Sequence, residues 1–567
     1  MADKKLIKIL KNIAILLEIS GENHFKTRAY INAAQILTEE NINLPEEIKK
    51  GTLGNIPGFG KALTSKITDY FANNGTMEYY ENLKTKTPES LTEITKLPGI
   101  GVKKVKQMYE QLHITSIEEL ENACINDTLS NTKGFGAATQ EKCLNNIQHL
   151  KASRGRYRSQ EAMDEAEILL NFLRDQDNTI HADLVSDIRR FTETVSEIVI
   201  LLAAKDKEQT ASELAIKFET DHKDSIIRPQ TSQGMPITII VTTPAEYFFK
   251  LHHLTGTSDY LSAMNDLLND KQITVNEGGL IKLGTKIEIK SEHDIFHAAG
   301  IQFIPPELRE NKSAVEAAAK NNIPELVKDS DLKGMLHCHS TWSDGRNSIK
   351  EMALKSKELG FEYFVICDHS RAAAYAGGLT IDQVKTQHEE IDKLNEENLG
   401  IQIVKGIESD ILSDGSLDYP DEVLESFDII VASIHSGFTM KKEEMTARII
   451  KALKNPYTDI LGHPSGRLLL ARPAYELDIK AIIDCAADYG KIIEINSNPY
   501  RLDLPWQDAI YAKQKSLKLA INPDSHRTST LSDVFTGVKA ARKAWLTKDD
   551  IINCLDHRQF VKEIVNR

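Results

Sequence analysis

Beyond residue 330 the chain repeats one arrangement, a short apolar run that ends in histidine or a carboxylate. LKGMLHCH ends on His337 and His339, FEYFVICDH on His369, IQIVKGIE on Glu408, DIIVASIH on His435, TDILGH on His463, and LKLAINPDSH on Asp524 and His526. A seventh run, KIIEINSN, has the same build without such an ending. Side chains at i and i+2 share one face of a strand, so His337 with His339, and Asp524 with His526, could each grip one cation. Of the seven histidines between Gly334 and His526, only His388 lies away from a run's end. Uncompensated burial of so many rings and acids would cost on the order of several kcal/mol each, and a shared cation offsets it. Nitrogen and oxygen donors without thiolate favour zinc, manganese or iron. Cys338 and Cys367 lie in the same runs and read as small buried hydrophobes.

The elements that must position these groups alternate. Helical patterns such as SIKEMALKSKELG and IDQVKTQHEEIDKLNEE separate the apolar runs, which predicts strand–helix units with a parallel sheet closed into a barrel. Reactive residues of such barrels sit at the C-terminal strand ends. The histidines and acids are at that end of each run.

HCHSTWSDG, CDHS, GIESDI, SIHSGF, GHPSGR, EINSNPYRLD and NPDSH resemble the motifs of the polymerase and histidinol phosphatase (PHP) superfamily, in the version attached to bacterial family X DNA polymerases. The resemblance implies a distorted, seven-stranded TIM-like barrel that hydrolyses phosphoesters with three divalent ions. It implies nine ligands: His337, His339, Asp344, His369, Glu408, His435, His463, Asp524 and His526. By spacing alone the SDG turn reads as a loop, so Asp344 enters through the resemblance. His337, His339, Glu408 and Asp524 would hold one ion and carry the chemistry, the other ligands would hold two more, and Glu408 would bridge. Clustered divalent ions activate water at neutral pH and clamp the oxygens of an in-line displacement at phosphorus. Arg467 and Arg501, beside these motifs, suit bidentate phosphate binding, and a surface ion pair suits either equally well.

The N-terminal region bears on the substrate. GNIPGFGKALTSKI and ITKLPGIGVKKVKQ each set a Gly-x-Gly turn before an amphipathic helix, which presents backbone N–H groups to an anion. TKGFGAATQEKC is a looser third copy. These segments resemble helix-hairpin-helix motifs that hold DNA phosphates without reading bases, with Gly58, Gly60, Lys61, Gly99, Gly101 and Lys103 as the contacts. HFKTRAYINAAQIL resembles the lyase-type domain that opens family X polymerases. Lys66 falls where that family's Schiff-base lysine can lie; an exposed phosphate-binding or solvated lysine is the reading taken, without lyase activity.

Between these regions, RGRYRSQEAMDEAEILLNFL, HLTGTSDYLSAM and FHAAGIQFIPPELREN resemble a family X palm and thumb of nucleotidyltransferase type. The catalytic positions depart from that pattern. Ser186 and Asp187 stand where the family has Gly-Ser, Glu197 and Val199 stand for its Asp-x-Asp, and Thr238 stands for its third aspartate. Nucleotidyl transfer needs carboxylates to hold two magnesium ions against the triphosphate and the primer end. Valine has no lone pair to offer, so a degenerate palm kept as a DNA-positioning scaffold is expected.

The whole chain is acidic, with a net charge of -14 over 567 residues. Residues 1–150 carry 18 basic and 18 acidic side chains, residues 151–330 carry 21 and 29, and residues 331–567 carry 30 and 36. DNA binding is therefore expected to be modest and salt-sensitive. The length predicts several domains: a helical DNA-binding region over 1–150, a palm and thumb over 151–315, a linker over 316–330 within a polar, alanine-rich stretch, and the barrel over 331–567. KASRGRYRSQ marks the first boundary. Neither a signal peptide nor a membrane-spanning run is seen, which predicts a cytoplasmic protein. The six cysteines form no CxxC pair, so neither a disulfide framework nor a zinc ribbon is indicated.

The expectation is a DNA-repair nuclease: a metal-dependent 3′-5′ exonuclease, with abasic-site cutting or 3′-end cleaning as further options, acting on primer-template, gapped or damaged DNA ends. Manganese or zinc, with iron third, are the cations expected. The alternatives are an active polymerase with a rearranged palm site, a small-molecule phosphatase, and a non-catalytic DNA-end scaffold. Oligomeric state is open.

Overall fold

A computed structural model describes residues 4–39, 42–97, 99–231 and 234–565. Two compact units are formed, one of Met1–Arg154 with Leu470–Arg472 and the other of Gly155–Leu469 with Pro473–Arg567. The boundary falls inside the basic KASRGRYRSQ segment.

The first unit is helical. Leu6, Leu10, Ile13 and Leu17 repeat at helical spacing along Lys4–Ile19 and bury one stripe against Tyr30, Ala33, Ala34 and Leu37 of His24–Glu39. A second core gathers Leu91, Ile94, Val105, Met108, Leu120 and Ile147. The Gly-x-Gly turns share one geometry. Gly58, Gly99 and Gly134 have φ of +93°, +75° and +97°, which favours glycine. Gly60, Gly101 and Gly136 then cap the helices Lys61–Ala72, Val102–Leu112 and Ala137–Ser153 in extended conformation, without a side-chain cap. Pro98 of the second turn lies outside the described residues.

In the second unit, strands β1 (Thr179–Leu184), β2 (Ile198–Ala204), β3 (His222–Lys223), β4 (Ile226–Ile227) and β5 (Ile237–Thr242) form one sheet in the order β1-β2-β5-β4-β3. Only the central β2–β5 pair is parallel. A helical lobe follows, with Tyr247–Thr255, Ser258–Asp270 and Glu292–Ala299 around Phe249, Tyr260, Met264 and Phe296. The alanine-rich stretch expected to contain the linker is instead packed structure. Ala314, Val315 and Ala318 align on one face of the helix Lys312–Ala319, and Ile323 and Leu326 continue into the same core. Alanine here supplies a close-packing stripe, which composition alone does not separate from solvated linker.

Seven strands close the fold: β6 (Gly334–Cys338), β7 (Tyr363–Ile366), β8 (Gln402–Asp410), β9 (Ile429–Ser433), β10 (Ile460–Leu461), β11 (Ile492–Asn496) and β12 (Leu519–Asn522). All pairs are parallel and lie in sequence order. Helices cover the outside, so both faces are buried and the strands read as continuous apolar runs. Leu336, Val365, Val404, Val431, Ile460, Ile492 and Ala520 fill the interior, with Phe560 against Tyr363 at the N-terminal ends. The seam between β6 and β12 is joined by the bridge Cys338–Ser525, where His339 N donates to Ser525 O at 2.8 Å. Buried Asn553 completes the join: its Nδ2 donates to Gly334 O and Ile521 O, and its Oδ1 accepts from Ile521 N.

The barrel and the preceding lobes are tied together by buried charge. Arg190 donates to Thr255 O (2.6 Å), Glu310 (3.1 Å) and Asp187, and Lys543 from the barrel reaches Glu310 and Arg190 O. Arg467 donates to both carboxylate oxygens of Glu193, at 2.7 and 3.1 Å. The Arg158 guanidinium lies 4.0 Å from the centre of the Tyr500 ring.

Candidate metal centre

All nine residues singled out in the barrel meet at the C-terminal mouth, with Glu408 in their midst. Its Oε1 lies 3.0 Å from His463 Nε2, 3.2 Å from His435 Nε2 and 3.3 Å from His337 Nε2. Its Oε2 lies 2.9 Å from His369 Nδ1 and 3.7 Å from His339 Nε2. Asp524 Oδ1 stands 3.3 Å from His339 Nε2, and Asp344 Oδ1 stands 3.3 Å from His526 Nε2 and 3.6 Å from His369 Nε2. Three overlapping groups each bring their donor atoms within 4.8 Å: His337, His339 and Asp524; His369, Glu408 and His435; His339, Asp344, His369 and His526.

Regular alternation along β6 is not what pairs His337 with His339. The register breaks between Met335 and Cys338, and His337 sits at φ +56°. Asp524 (φ +50°) and His526 lie beyond the end of β12, and His463 is at φ +24°. Non-glycine residues in this region cost of order 1 kcal/mol or more each. Packing and hydrogen bonds around the barrel mouth hold them there.

The donor set fits divalent cations. His337 Nε2, both ring nitrogens of His339, His369 Nδ1 and Glu408 Oε2 are buried without a hydrogen-bond partner. Each such atom carries a desolvation penalty of about 1–3 kcal/mol, which a cation removes. The charge balance agrees. Burial opposes ionisation of Glu408 and Asp524, yet the surrounding imidazoles hold both well below the usual carboxylate range. Burial likewise opposes protonation of His435 and His526, but Glu408 and Asp410 push His435 up to about 10, and Asp344 and Asp524 push His526 up to about 9. His339, buried beside His526 and His369, falls to about 3. Protons thus neutralise in the metal-free centre what cations neutralise in the loaded one.

Three residues overlooked in the sequence set the ligands' orientation. Glu494, buried in β11, accepts from His337 Nδ1 (2.5 Å), Asn522 Nδ2 (2.8 Å), Asn496 Nδ2 (2.8 Å) and His463 N (3.0 Å). Asp410 accepts from His435 Nδ1 at 2.5 Å. A carboxylate on the far ring nitrogen leaves the lone pair of the near one for metal. Buried Asp368 accepts from Ser340 N, Ser340 Oγ, Ser343 Oγ and Gln387 Nε2, and so fastens the loop that carries Asp344.

The arginines differ. Arg501 places Nε 3.4 Å from Asp524 Oδ2 at the mouth. Arg467 is spent on Glu193 and on the carbonyls of Arg501 and Leu502, so the ion pair prevails over phosphate binding there.

In the five-stranded sheet, Val199 pairs with Thr238 across β2 and β5, and Thr238 Oγ1 donates to Glu197 at 2.6 Å. Asp187 follows Ser186 (φ +62°) and is engaged by Arg190. In the helical unit Lys61 and Lys103 are exposed in the first turns of their helices. Open space surrounds Gly60 and Gly101. Lys66 Nζ lies 4.4 Å from the centre of the Tyr79 ring, and burial, with Lys26 nearby, lowers its pKa. No helix among the described residues is long and apolar enough to cross a membrane.

Comparison with known proteins matches several of these regions. Residues 1–75 match the helix-hairpin-helix domain, 89–142 the SAM-like helix-hairpin-helix tandem, 250–310 the DNA polymerase beta thumb, and 335–498 the PHP domain. The DNA polymerase/3′-5′ exonuclease PolX of Bacillus subtilis (strain 168) is 34% identical over 562 residues, 98% of this chain and 97% of that protein. A probable phosphatase of Thermoanaerobacter pseudethanolicus (strain ATCC 33223 / 39E) is 30% identical over 236 residues, 39% of this chain and 91% of the relative. With the likeness running nearly end to end, the chain belongs to the bacterial family X DNA polymerases that carry a C-terminal PHP domain.

Proposed function

We propose that this protein shortens DNA from its 3′ end by metal-dependent hydrolysis in the barrel, and that its palm no longer polymerises. The observation that carries the first half is the cluster of buried imidazole and carboxylate atoms around Glu408, several of them without a hydrogen-bond partner. His337, His339, Glu408 and Asp524 would hold one cation, and Asp344, His369, His435, His463 and His526 would hold two more, with Glu408 shared between them. Bound divalent ions supply an activated water and a clamp on the phosphate oxygens. The chain's own groups do the positioning. Glu494 and Asp410 keep the lone pairs of His337 and His435 turned inward. Arg501, pinned by Asp524, offers its two terminal nitrogens to the phosphate. Water adds to phosphorus, the P–O3′ bond breaks, and the new 3′ oxygen takes up a proton. The products are a nucleoside 5′-monophosphate and a shorter strand.

The second half rests on the palm. Val199 occupies a position where a carboxylate would be needed, Glu197 is engaged by Thr238, and Arg189 and Arg190 are consumed by Glu292 and Glu310. The glycine turns of the helical unit hold backbone phosphates through helix starts; in a small-molecule phosphatase they would have no role. A 5′-labelled primer-template incubated with manganese tests both halves. Shortening is expected with or without triphosphates, and none with His339→Ala. Extension would overturn the palm reading, and shortening that survives His339→Ala would remove the barrel from the mechanism.

A further inference from the structure

The mouth of the metal centre carries an aromatic ring that takes no part in holding the cations. Tyr375 lies on the turn Ala374–Ala376, downstream of the CDHS motif, and its side chain is 73% exposed. Its ring centre is 6.3 Å from that of His369 and 6.4 Å from that of His435. The ring therefore borders the second cation group on one side and leaves most of its surface to solvent.

The backbone beneath it is fastened. Ser370 and Leu379 pair as a bridge, with Leu379 N donating to His369 O at 2.9 Å and Ser370 N to Glu408 O at 3.0 Å. Gly378 N donates to Ala373 O at 3.1 Å, and Ala372 N donates to Asp418 Oδ2 at 2.6 Å. A Cβ at Gly378 would overlap Ser370 O, so the strap closes only with glycine there. Ala373, Ala376 and Leu379 are buried beneath the turn. The backbone beneath the ring is thus fixed, while most of the ring itself faces water beside the ligand histidines.

A ring with an open face at the edge of a phosphate-cleaving centre is matched by a planar, unsaturated group carried about a sugar's length from the phosphate. A nucleobase has that form, and a sugar phosphate or an alkyl phosphate does not. We infer that Tyr375 is the stacking platform for the base of the 3′-terminal nucleotide, which makes the barrel selective for nucleotide ends whatever their sequence. This rests on the exonuclease reading of the barrel. Base–aromatic stacking tolerates every base, since each has a π-face, and its loss weakens binding by roughly 10- to 100-fold.

The test uses the full-length, manganese-loaded protein and two 5′-labelled oligonucleotides, identical except that one ends in an ordinary deoxynucleotide and the other in a tetrahydrofuran residue lacking a base. Tyr375→Ala is expected to raise KM for the ordinary end about 10- to 100-fold with kcat largely kept, and to leave cleavage of the baseless end within about twofold. Tyr375→Phe and Tyr375→Trp are expected to restore the wild-type KM. Equal losses on both ends, or failure of Tyr375→Phe to rescue, would overturn the platform. Wild-type protein that shortens both ends while Tyr375→Ala behaves like it would overturn the role of Tyr375 and leave the exonuclease reading standing. Wild-type protein that shortens neither end would overturn that reading and the platform together.

Discussion

Replacing Glu494 by glutamine changes a single atom in a fully buried side chain, and the hydrogen bonds around that atom determine the cost. Each carboxylate oxygen accepts two donors: Oε1 takes His463 N and Asn496 Nδ2, and Oε2 takes His337 Nδ1 and Asn522 Nδ2. An amide must turn its NH2 toward one pair. Turned to the first, it meets a backbone N–H that cannot reverse and an asparagine already committed to Asp524 at 3.1 Å. Turned to the second, it can be met by Asn522, whose Oδ1 is buried without a partner and comes into reach when that amide flips. His337 must then accept at Nδ1, and its proton moves to Nε2, the atom that faces Glu408 and Asp524. That tautomer cannot ligate. Losing a charge-assisted bond of about 1.5–3 kcal/mol corresponds to a fall of roughly 10- to 100-fold in affinity for the cation held by His337, His339 and Asp524. Competition titration of manganese against a chelator reads that number directly, with far-UV circular dichroism and the urea midpoint as controls for folding. A folded Glu494→Gln protein that keeps wild-type affinity within about threefold would refute the reasoning, because the one orientation that leaves Nε2 free sets the amide N–H against the His463 N–H.

Other effects arise from the same packing. The raised pKa values of His435 and His526 stabilise the metal-free fold fully below the ordinary histidine value of 6.5, and that contribution is lost as pH climbs through about 9 to 10. The unfolding temperature of metal-free protein should therefore fall between pH 7 and 10, while the gain conferred by manganese grows over the same interval as cations displace protons; a pH-independent gain would contradict this. Glu292 pairs with Arg189 at 2.6 and 3.0 Å and with fully buried Arg309, and although burial opposes its ionisation, these arginines bring it down to about 2. Its stabilisation is present above the unfolded carboxylate range near pH 4.3 and is lost as pH falls through about 2. Glu292→Gln, which strands two guanidinium groups, should lower stability at pH 7 by about 3–5 kcal/mol, read from urea unfolding. Asn553→Ala removes three hydrogen bonds from the barrel seam and should cost about 3 kcal/mol or more; a loss below about 1 kcal/mol would mean that water replaces the amide.

How much of this was legible in the residues depends on periodicity. Eight of the nine barrel positions stood out because short apolar strands and charged helices alternate regularly, and a polar group at the end of such a run has few places to go; Asp344, in a loop, came only from the family resemblance. Glu494 stood in the open as the acid inside KIIEINSN, yet a run without an ending histidine drew no assignment. A carboxylate among isoleucines needs a partner, and that alone marked it. Asp410 follows Glu408 by two residues on the same strand face, and Asp368 sits beside His369 in CDHS; both were hidden by more conspicuous neighbours. The positive φ at His337 and Asp524 could not be read, because a break in register leaves no mark on composition. Arg467 illustrates the limit for surface charge: the residue type suits phosphate and carboxylate equally, and only the fold brings Glu193 to it.

That last contact bears on how the protein can be taken apart. Arg467 grips Glu193 with one edge and the Arg501 and Leu502 carbonyls with the other, while Arg158 lies over Tyr500. The segment bearing Arg501 is thus braced from outside the barrel, by residues more than 250 positions upstream. A fragment begun at residue 331 would keep every ligand and lose the brace, together with the partners of Lys543 and Arg542. Sluggish cleavage by such a fragment would then report a slackened Arg501 segment, and adding back a separate palm that restores the rate would show that lobe serving as a splint for its neighbour.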